Sequence, residues 1–261
     1  MSIPRSLAVV ATALGLLASS SSAAPTSQPA PSSLSDDFAD ASTLSQWQAS
    51  TGEVRSGKTT FGVDGGVLTI HTGQSTWFRT QHGFYLWKPV TGDFVATVRL
   101  RVRGEHGPVP TANWSLAGLL LRAQPRSGGR EDWLNFSVGR VSGSSVFERK
   151  TTLLSNSVLD LVPAPTGWLE LRQVRVGPRF FLLYRPEAGA WRFFWVYLRT
   201  DLPPTLEVGV DSQTGTDDDH GDLVADVDFV HFRATGIPRP LRAKIVRGRY
   251  ALRQVLPYLK R

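Results

Sequence analysis

Two neighbouring segments of the chain place an indole, an amide and a guanidinium close together. In residues 133–138 apolar and polar side chains alternate, so in a β-strand Trp133 and Asn135 share the face opposite the apolar residues. Arg122 ends the apolar segment that comes before them. An indole stacks on apolar C–H surfaces, while amides and guanidinium groups hydrogen-bond to hydroxyls. We therefore expect Trp133, Asn135 and Arg122 to form an open sheet face that binds sugars.

A second group has the same spacing. Trp77, Arg79 and Gln81 share one face if residues 77–81 form a strand, and they would extend the binding surface. Tryptophan is also commonly buried in protein cores. A packing role is therefore the alternative for each tryptophan.

Acidic residues show no catalytic spacing. Glycoside hydrolysis needs two carboxylates across one cleft. Glu131 and Asp132 are adjacent and face apart in a strand, and Glu148, Glu170 and Glu207 stand singly on separate predicted strands. We assign no catalytic residue, although two of these acids would form a pair if folding brought them together.

An acidic turn contains Asp217, Asp219 and Asp222. Carboxylate oxygens at this density suit Ca²⁺, but the spacing and the distal glutamate of a calcium loop are missing. We expect a solvated turn, with a structural calcium as the alternative, and no other cofactor.

Positive charge is concentrated at the end of the chain. The net charge is +7, yet residues 236–261 carry eight basic and no acidic residues. Without this tail and Arg5 the remainder has a net charge of about −2. Nucleic-acid binding by the whole domain is therefore not expected.

The basic tail has the pattern of an amphipathic helix. Its apolar positions, which approximate one helical face, are Leu241, Ile245, Leu252, Val255, Leu256 and Leu259. Such a helix would rest on an anionic envelope surface such as lipid, on acidic polysaccharide, or on the acidic turns of its own domain. A disordered extension is the alternative, since Gly248 and Pro257 weaken a helix.

The first 23 residues are typical of a secretory signal peptide. Arg5 precedes an apolar run at residues 7–17 that is too short to cross a bilayer, and small residues follow. Residues 24–35 are rich in serine and proline and predict a flexible linker. The chain has no cysteine, so its stability must come from a packed core. We expect a bacterial protein secreted to the periplasm or the extracellular space.

Residues 36–235 consist of short alternating segments separated by turns. At least ten such segments predict an all-β domain, a two-sheet antiparallel jelly-roll sandwich. The predicted strands cover residues 67–71, 93–102, 116–123, 131–139, 145–152, 168–174, 180–184, 191–198, 205–210 and 223–232.

Several motifs in this body resemble the concanavalin A-like (laminin G-like) β-sandwich superfamily, and within it a bacterial secreted group of unassigned function. The motifs are residues 36–38 (DDF), 65–68 (GGVL), 90–94 (VTGDF), 117–122 (AGLLLR), 168–171 (WLEL) and 201–209 (DLPPTLEVG). The resemblance implies the sandwich fold and an interaction with carbohydrate. Catalytic members of the superfamily carry a Glu-x-Asp-x-x-Glu strand, which this sequence lacks.

We therefore expect a secreted, non-catalytic module that binds carbohydrate or another polymer. One alternative is an extracellular glycoside-active hydrolase with a site that the sequence does not reveal. Another is a structural envelope-surface module held by its basic tail. The expected partner is a polysaccharide or glycan, and the expected oligomeric state is a monomer.

Overall fold

A computed structural model describes residues 30–53, 57–125, 128–215 and 221–261 of the chain. The predicted signal peptide, together with Asp217 and Asp219 of the acidic turn, lies outside these residues. Within them, no helix has the length and apolar character that crossing a membrane requires.

Two antiparallel sheets of seven strands each form a sandwich, as predicted. The front sheet contains, in spatial order, β1 (Gln48–Ser50), β4 (Phe84–Thr91), β13 (Thr205–Thr214), β6 (Ser115–Arg122), β7 (Trp133–Val141), β8 (Ser144–Leu153) and β9 (Asn156–Pro163). The back sheet contains β12 (Arg192–Leu198), β11 (Arg179–Pro186), β10 (Leu169–Val176), β5 (Phe94–Gly104), β14 (Leu223–Arg233), β3 (Val67–His71) and β2 (Thr60–Asp64).

The core lies between the sheets and is built from alternate residues of both. On β7 the predicted inward residues Leu134, Phe136 and Val138 are all buried in it. Each large apolar side chain buried in this way contributes about 1.5–3 kcal/mol. The period-two pattern therefore identified the inner face of this strand correctly.

Two long strands, β4 and β9, were not predicted, because neither alternates regularly between apolar and polar residues. β4 is covered on both faces, so its sequence is nearly continuously apolar rather than alternating. Lys88 is buried within it, donating to the carbonyl of Leu34 at 2.9 Å and lying over the Trp47 ring. β9 is an exposed edge strand that ends in Pro163, and its four aliphatic residues occur in adjacent pairs instead of alternating with polar ones.

The end of the predicted linker is packed rather than free. Pro31–Leu34 forms a short 3₁₀ helix, and Ser35 Oγ accepts a hydrogen bond from the backbone N–H of Phe232 at 2.9 Å. Asp36 pairs with Val230 of β14 through two backbone hydrogen bonds. Residues 31–35, which precede the predicted domain boundary at residue 36, therefore contact the sandwich.

The basic tail is helical, as its apolar spacing predicts. It forms α1 (Arg239–Val246) and α2 (Leu252–Leu259), separated by a turn at Gly248, which has a φ of 75°. Ile245, Val255 and Leu259 are completely buried against the outer face of the back sheet. The alternative of a disordered extension is therefore wrong: the tail shields apolar residues of β10 and β11 from water.

Candidate functional site

The outer face of the front sheet, predicted to be open, is closed by a loop. Residues 72–83, here called the covering segment, join β3 to β4 and cross this face. Trp77 lies inside it, with its ring centroid 6.0 Å from that of Trp133 in an edge-to-face arrangement. Trp133 is 0% and Asn135 1% exposed. The expectation that these two residues are displayed to solvent is wrong, because the covering segment fills the space above them.

Hydrogen bonds from three front-sheet strands hold the covering segment. The side-chain oxygen of Gln213 on β13 accepts from the backbone N–H of Trp77. Lys150 Nζ on β8 donates to the carbonyl of Trp77 at 2.7 Å, and Trp77 Nε1 donates to the carbonyl of Phe84 on β4 at 3.2 Å. The segment is thereby fixed both at its backbone and at its indole.

Residues 77–81 do not form a straight strand. Phe78 and Gln81 pair across a two-residue turn, and Arg79 at its tip is exposed with a φ of 58°. Arg79 N–H donates to Ser157 Oγ of β9 at 2.8 Å. The predicted shared face of Trp77, Arg79 and Gln81 is therefore wrong: the turn sends Trp77 into the sheet and Arg79 outwards.

A row of polar residues is buried beneath the covering segment. Asp211, Gly118, Ser137 and Glu148 are paired in register across four neighbouring strands and share the outer face. Asp211 and Glu148, which are far apart in the sequence, therefore lie in the same cross-strand row. Their backbones are three strand spacings apart, roughly 14 Å.

Both acids of this row have perturbed pKa values. Burial raises the pKa of Asp211 to about 7, against the hydrogen bond from Asn135 Nδ2, which lowers it. Burial also raises the pKa of Glu148, against the charge of Lys150, whose Nζ lies 2.8 Å from Glu148 Oε1. These groups stay closed off from solvent while the covering segment is in place.

At one end of the same face, Arg122 remains partly exposed and connects two carboxylates. Its Nε and Nη2 donate to the two oxygens of Glu131 at 2.8 and 2.7 Å. Its Nη1 lies 3.6 Å from Glu207 Oε2, and Glu207 is the direct cross-strand partner of Arg122. His82 Nε2 lies 3.1 Å from Glu131 Oε1. We call Arg122, Glu131, Glu207 and His82 the arginine cluster.

The pKa values of the two carboxylates in the arginine cluster shift in opposite directions. Burial alone would raise the pKa of Glu131, but hydrogen bonds from Arg122 and His82 outweigh it and lower this pKa to about 2. Burial raises the pKa of Glu207, and Arg122 offsets this only in part. Within the described residues Glu207 Oε2 is buried without a hydrogen-bond partner. Glu207 is therefore the member of the cluster with unused hydrogen-bonding capacity.

A partly exposed indole and a cleft lie next to β13, the strand that carries Glu207. Trp87 on β4 is half-buried, and Tyr85 stacks on it with centroids 4.9 Å apart and an interplanar angle of 15°. Tyr85 therefore covers one face of the indole. A cleft of about 580 Å³ adjoins Glu207 and is also lined by Pro89, Gln124 and Thr205.

The proposed calcium ligands are only partly described. Asp222 accepts hydrogen bonds from the backbone N–H groups of Thr111 and Ala112 at 2.7 and 3.0 Å. These bonds lower its pKa and tie β14 to the loop before β6. Across the described ranges, no three potential ligand side chains gather into a metal site. A calcium site with Asp217 and Asp219 stays a prediction.

Sequence reasoning assigned Arg122 to the site but missed Trp87, Glu207 and His82. A usable signal was present on β13, where Glu207, Asp211 and Gln213 alternate with inward valines. Trp87 was hidden because β4 lacks alternation, and His82 because it lies in the loop just before β4.

No protein-family model matches the chain, and no curated protein matches it. Solved structures do share its fold. A Saccharomyces cerevisiae protein of unknown function matches with a TM-score of 0.57 at 15% identity, over 73% of this chain and 97% of that one. A GH43 protein of Bacillus licheniformis matches with a TM-score of 0.58 at 14% identity, over 77% of this chain and 39% of that one.

A third structure is a β-1,3-glucanase of Mycobacterium marinum, with a TM-score of 0.50 at 14% identity, covering 78% of this chain and 100% of that one. Likenesses at this identity establish the β-sandwich fold alone. The fold that the superfamily resemblance implies is confirmed, while assignment to the bacterial group of unassigned function stays a prediction.

Proposed function

We propose that this chain is a secreted, non-catalytic module that binds a neutral polysaccharide at the partly exposed end of the front sheet. The observation that carries the proposal is the partly exposed Trp87 indole on β4, which pairs with the strand β13 that carries Glu207. Carbohydrate-active proteins among the structural neighbours add support, since the fold is compatible with contacts to polysaccharide.

Trp87 provides the apolar part of the proposed site. Tyr85 fixes the indole from one side, so little side-chain entropy remains to be lost when a sugar ring stacks on the other. A flat, preoriented ring with a polar surround is the arrangement that recognises amphipathic ligands.

Glu207 and Arg122 provide the polar part. Glu207 Oε2 has no hydrogen-bond partner in the described structure, and leaving a buried acceptor unsatisfied costs about 1–3 kcal/mol. The Glu207 side chain is 13% exposed, so a sugar hydroxyl in the cleft would donate to this carboxylate once it turns Oε2 towards the cleft. Arg122 would keep its bidentate pair with Glu131 and offer Nη1, which lies 3.6 Å from Glu207 Oε2 and forms no hydrogen bond with the part of the chain that the structure describes.

The protonation and burial of the acids favour binding over hydrolysis. A glycosidase needs two available carboxylates, one as acid and one as nucleophile or base, so Glu207 would need a partner. Both oxygens of Glu131 are engaged by Arg122, and its pKa of about 2 makes it a weak base. Glu148 and Asp211 are closed off by the covering segment.

Polysaccharide binding to the intact chain and a Trp87→Ala variant tests the proposal. Soluble β-1,3-glucan is a suitable probe because one structural neighbour is a β-1,3-glucanase, and xyloglucan is a second neutral glucan. We expect Trp87→Ala to weaken binding by about 2 kcal/mol or more, roughly thirtyfold. Trp195→Ala is the matched control, because Trp195 is 42% exposed on β12, an edge strand of the other sheet.

The outcomes separate a binding defect from a folding defect. Trp87→Phe keeps a ring on Tyr85 and should retain part of the affinity, with an unchanged melting temperature. Equal losses for Trp87→Ala and Trp195→Ala, or binding to none of a broad panel of neutral glycans, would contradict the proposal.

One observation favours a hydrolase as a second candidate. Asp211 has a pKa of about 7 and lies in register with Glu148, another acid whose pKa is raised. If the covering segment moved aside, these groups would face solvent. Release of reducing sugar from β-1,3-glucan or xyloglucan, lost in Asp211→Asn, would establish this candidate and overturn the first.

A further inference from the structure

The two tail helices enclose a basic cleft on the outer side of the back sheet. It has a volume of about 560 Å³ and lies on the opposite side of the sandwich from the arginine cluster. Its cationic lining is Lys244, Arg247 and Arg249, and Tyr250 and Gln254 complete the wall. All three cations are exposed.

The cations of this cleft are not neutralised within the protein. Arg242 on α1 pairs with Asp93. For Lys244, Arg247 and Arg249, no carboxylate lies within 4 Å among the residues that the structure describes. Like charges that lie close together repel each other, and a bound anion relieves this repulsion. The positive charge of the cleft therefore favours binding of an anionic ligand.

The turn at Gly248 brings these charges together. Its backbone N–H donates to the carbonyl of Ile245 at 2.9 Å, and Arg249 N–H donates to that of Lys244 at 2.8 Å, which closes α1 tightly. Arg179 of β11 supports the turn from below, because its Nε donates to the carbonyl of Ile245 at 2.7 Å. The backbone that carries the three cations is therefore fixed before a ligand arrives.

The apolar side of the tail is already occupied. A membrane-bound amphipathic helix inserts its apolar face into the bilayer. Here Ile245, Val255 and Leu259 are completely buried against the back sheet, so these residues are not available for insertion. The solvent-exposed side of the tail carries positive charges and hydrogen-bond donors. This surface is better suited to bind a hydrophilic polyanion than a lipid bilayer.

We propose that the α1–α2 cleft binds an anionic polysaccharide through its sulfate, phosphate or carboxylate groups. Arg239, Arg253 and Lys260 are also exposed on the tail and would extend the contact along a polymer with repeated charges. Because this cleft and the arginine cluster lie on opposite sides of the sandwich, one molecule would hold two polymers at once. The cleft stands on its own observations and does not depend on the neutral-glycan site.

Dextran sulfate and uncharged dextran form a matched pair of probes for this cleft. We expect the full chain to bind dextran sulfate and not dextran, and to release it as salt rises from about 0.05 to 0.5 M. The double variant Lys244→Glu/Arg247→Glu should bind about tenfold more weakly or worse, because attraction is replaced by repulsion. Lys58→Glu/Arg130→Glu is the control, since it makes the same charge change at exposed sites outside the tail.

Each outcome supports or overturns the proposal. Both variants change exposed side chains only, and an unchanged melting temperature would confirm that they fold. Equal weakening by the two double variants would show a general charge effect and overturn the assignment to the cleft. Binding to phosphatidylglycerol vesicles without binding to dextran sulfate would overturn it in favour of a lipid surface.

Discussion

The indole of Trp77 packs edge-on against the indole of Trp133, with 6.0 Å between ring centroids and an angle of 79° between ring planes. This contact joins a loop to the centre of a sheet face that would otherwise be a groove. It converts Trp133 from an expected ligand contact into a packing residue. The open part of the face is thereby reduced to the arginine cluster and Trp87.

Removing the indole of Trp77 should destabilise the protein strongly. Trp77→Ala leaves a cavity among Tyr85, Trp133 and His82, and buried tryptophan-to-alanine changes cost about 3–5 kcal/mol. Urea unfolding gives the free energy directly. Trp195→Ala, at an exposed position, should cost less than about 1 kcal/mol. Similar costs for both would mean that the covering segment contributes little to stability.

Changing Asp211 should alter how stability depends on pH. Its pKa is about 7 in the folded protein and about 3.8 when unfolded, so between these values the folded state holds the extra proton. The contribution of Asp211 to the free energy of unfolding is therefore fully present below pH 4. It falls by about 1.4 kcal/mol per pH unit as pH rises towards 7.

Asp211→Asn removes this dependence. We expect the variant to be more stable than the parent at pH 8 and to show a flatter stability profile between pH 4 and 7. Chemical denaturation at a series of pH values measures it. A parent profile that is flat or rises over this interval would contradict the assignment.

Arg122 should control the protonation of Glu131. Arg122→Met removes both guanidinium hydrogen bonds while keeping a long, unbranched side chain. The pKa of Glu131 should therefore rise from about 2 towards or above its ordinary value. Carboxyl-carbon NMR titration measures this pKa. Losing the partner of a buried charge should also cost about 3–5 kcal/mol near neutral pH. An unchanged pKa would show that His82 alone stabilises the carboxylate.

The C-terminal helices should contribute to global stability. Leu259 is completely buried on the back sheet, and its carbonyl accepts from Arg172 Nη1 at 2.8 Å. Leu259→Ala should cost about 2–5 kcal/mol. Arg253→Ala, at an exposed site on the same helix, should stay within about 0.5 kcal/mol of the parent. A small effect of Leu259→Ala on thermal unfolding would mean that the tail detaches easily.

The sequence was most informative where one residue type repeats at a fixed period. Alternation on β7 located Leu134 and Phe136 in the core, and the spacing of Ile245 and Val255 indicated helices. Periodicity says which residues share a face but not what covers that face. The prediction that Trp133 lies on the outer face of the sheet is therefore confirmed, whereas the prediction that it is exposed to solvent is wrong.

The remaining parts of the site depend on contacts between distant segments. Asn135 bonds Asp211, 76 residues away, and Trp77 bonds Gln213, 136 residues away. Arg122 meets Glu207 only because β6 and β13 pair in one particular register. Such pairings depend on the packing of the whole sheet, so they cannot be predicted from a short segment of the sequence.

The anchoring of the covering segment also constrains the order of folding. Lys150 and Gln213 can hold it only after β8 and β13 have joined the front sheet, although the segment precedes both strands in the chain. Long-range closures of this kind are slow, because chain entropy is lost before the contacts form. Burial of Trp77 should therefore follow sheet assembly and give a late phase in tryptophan fluorescence during refolding.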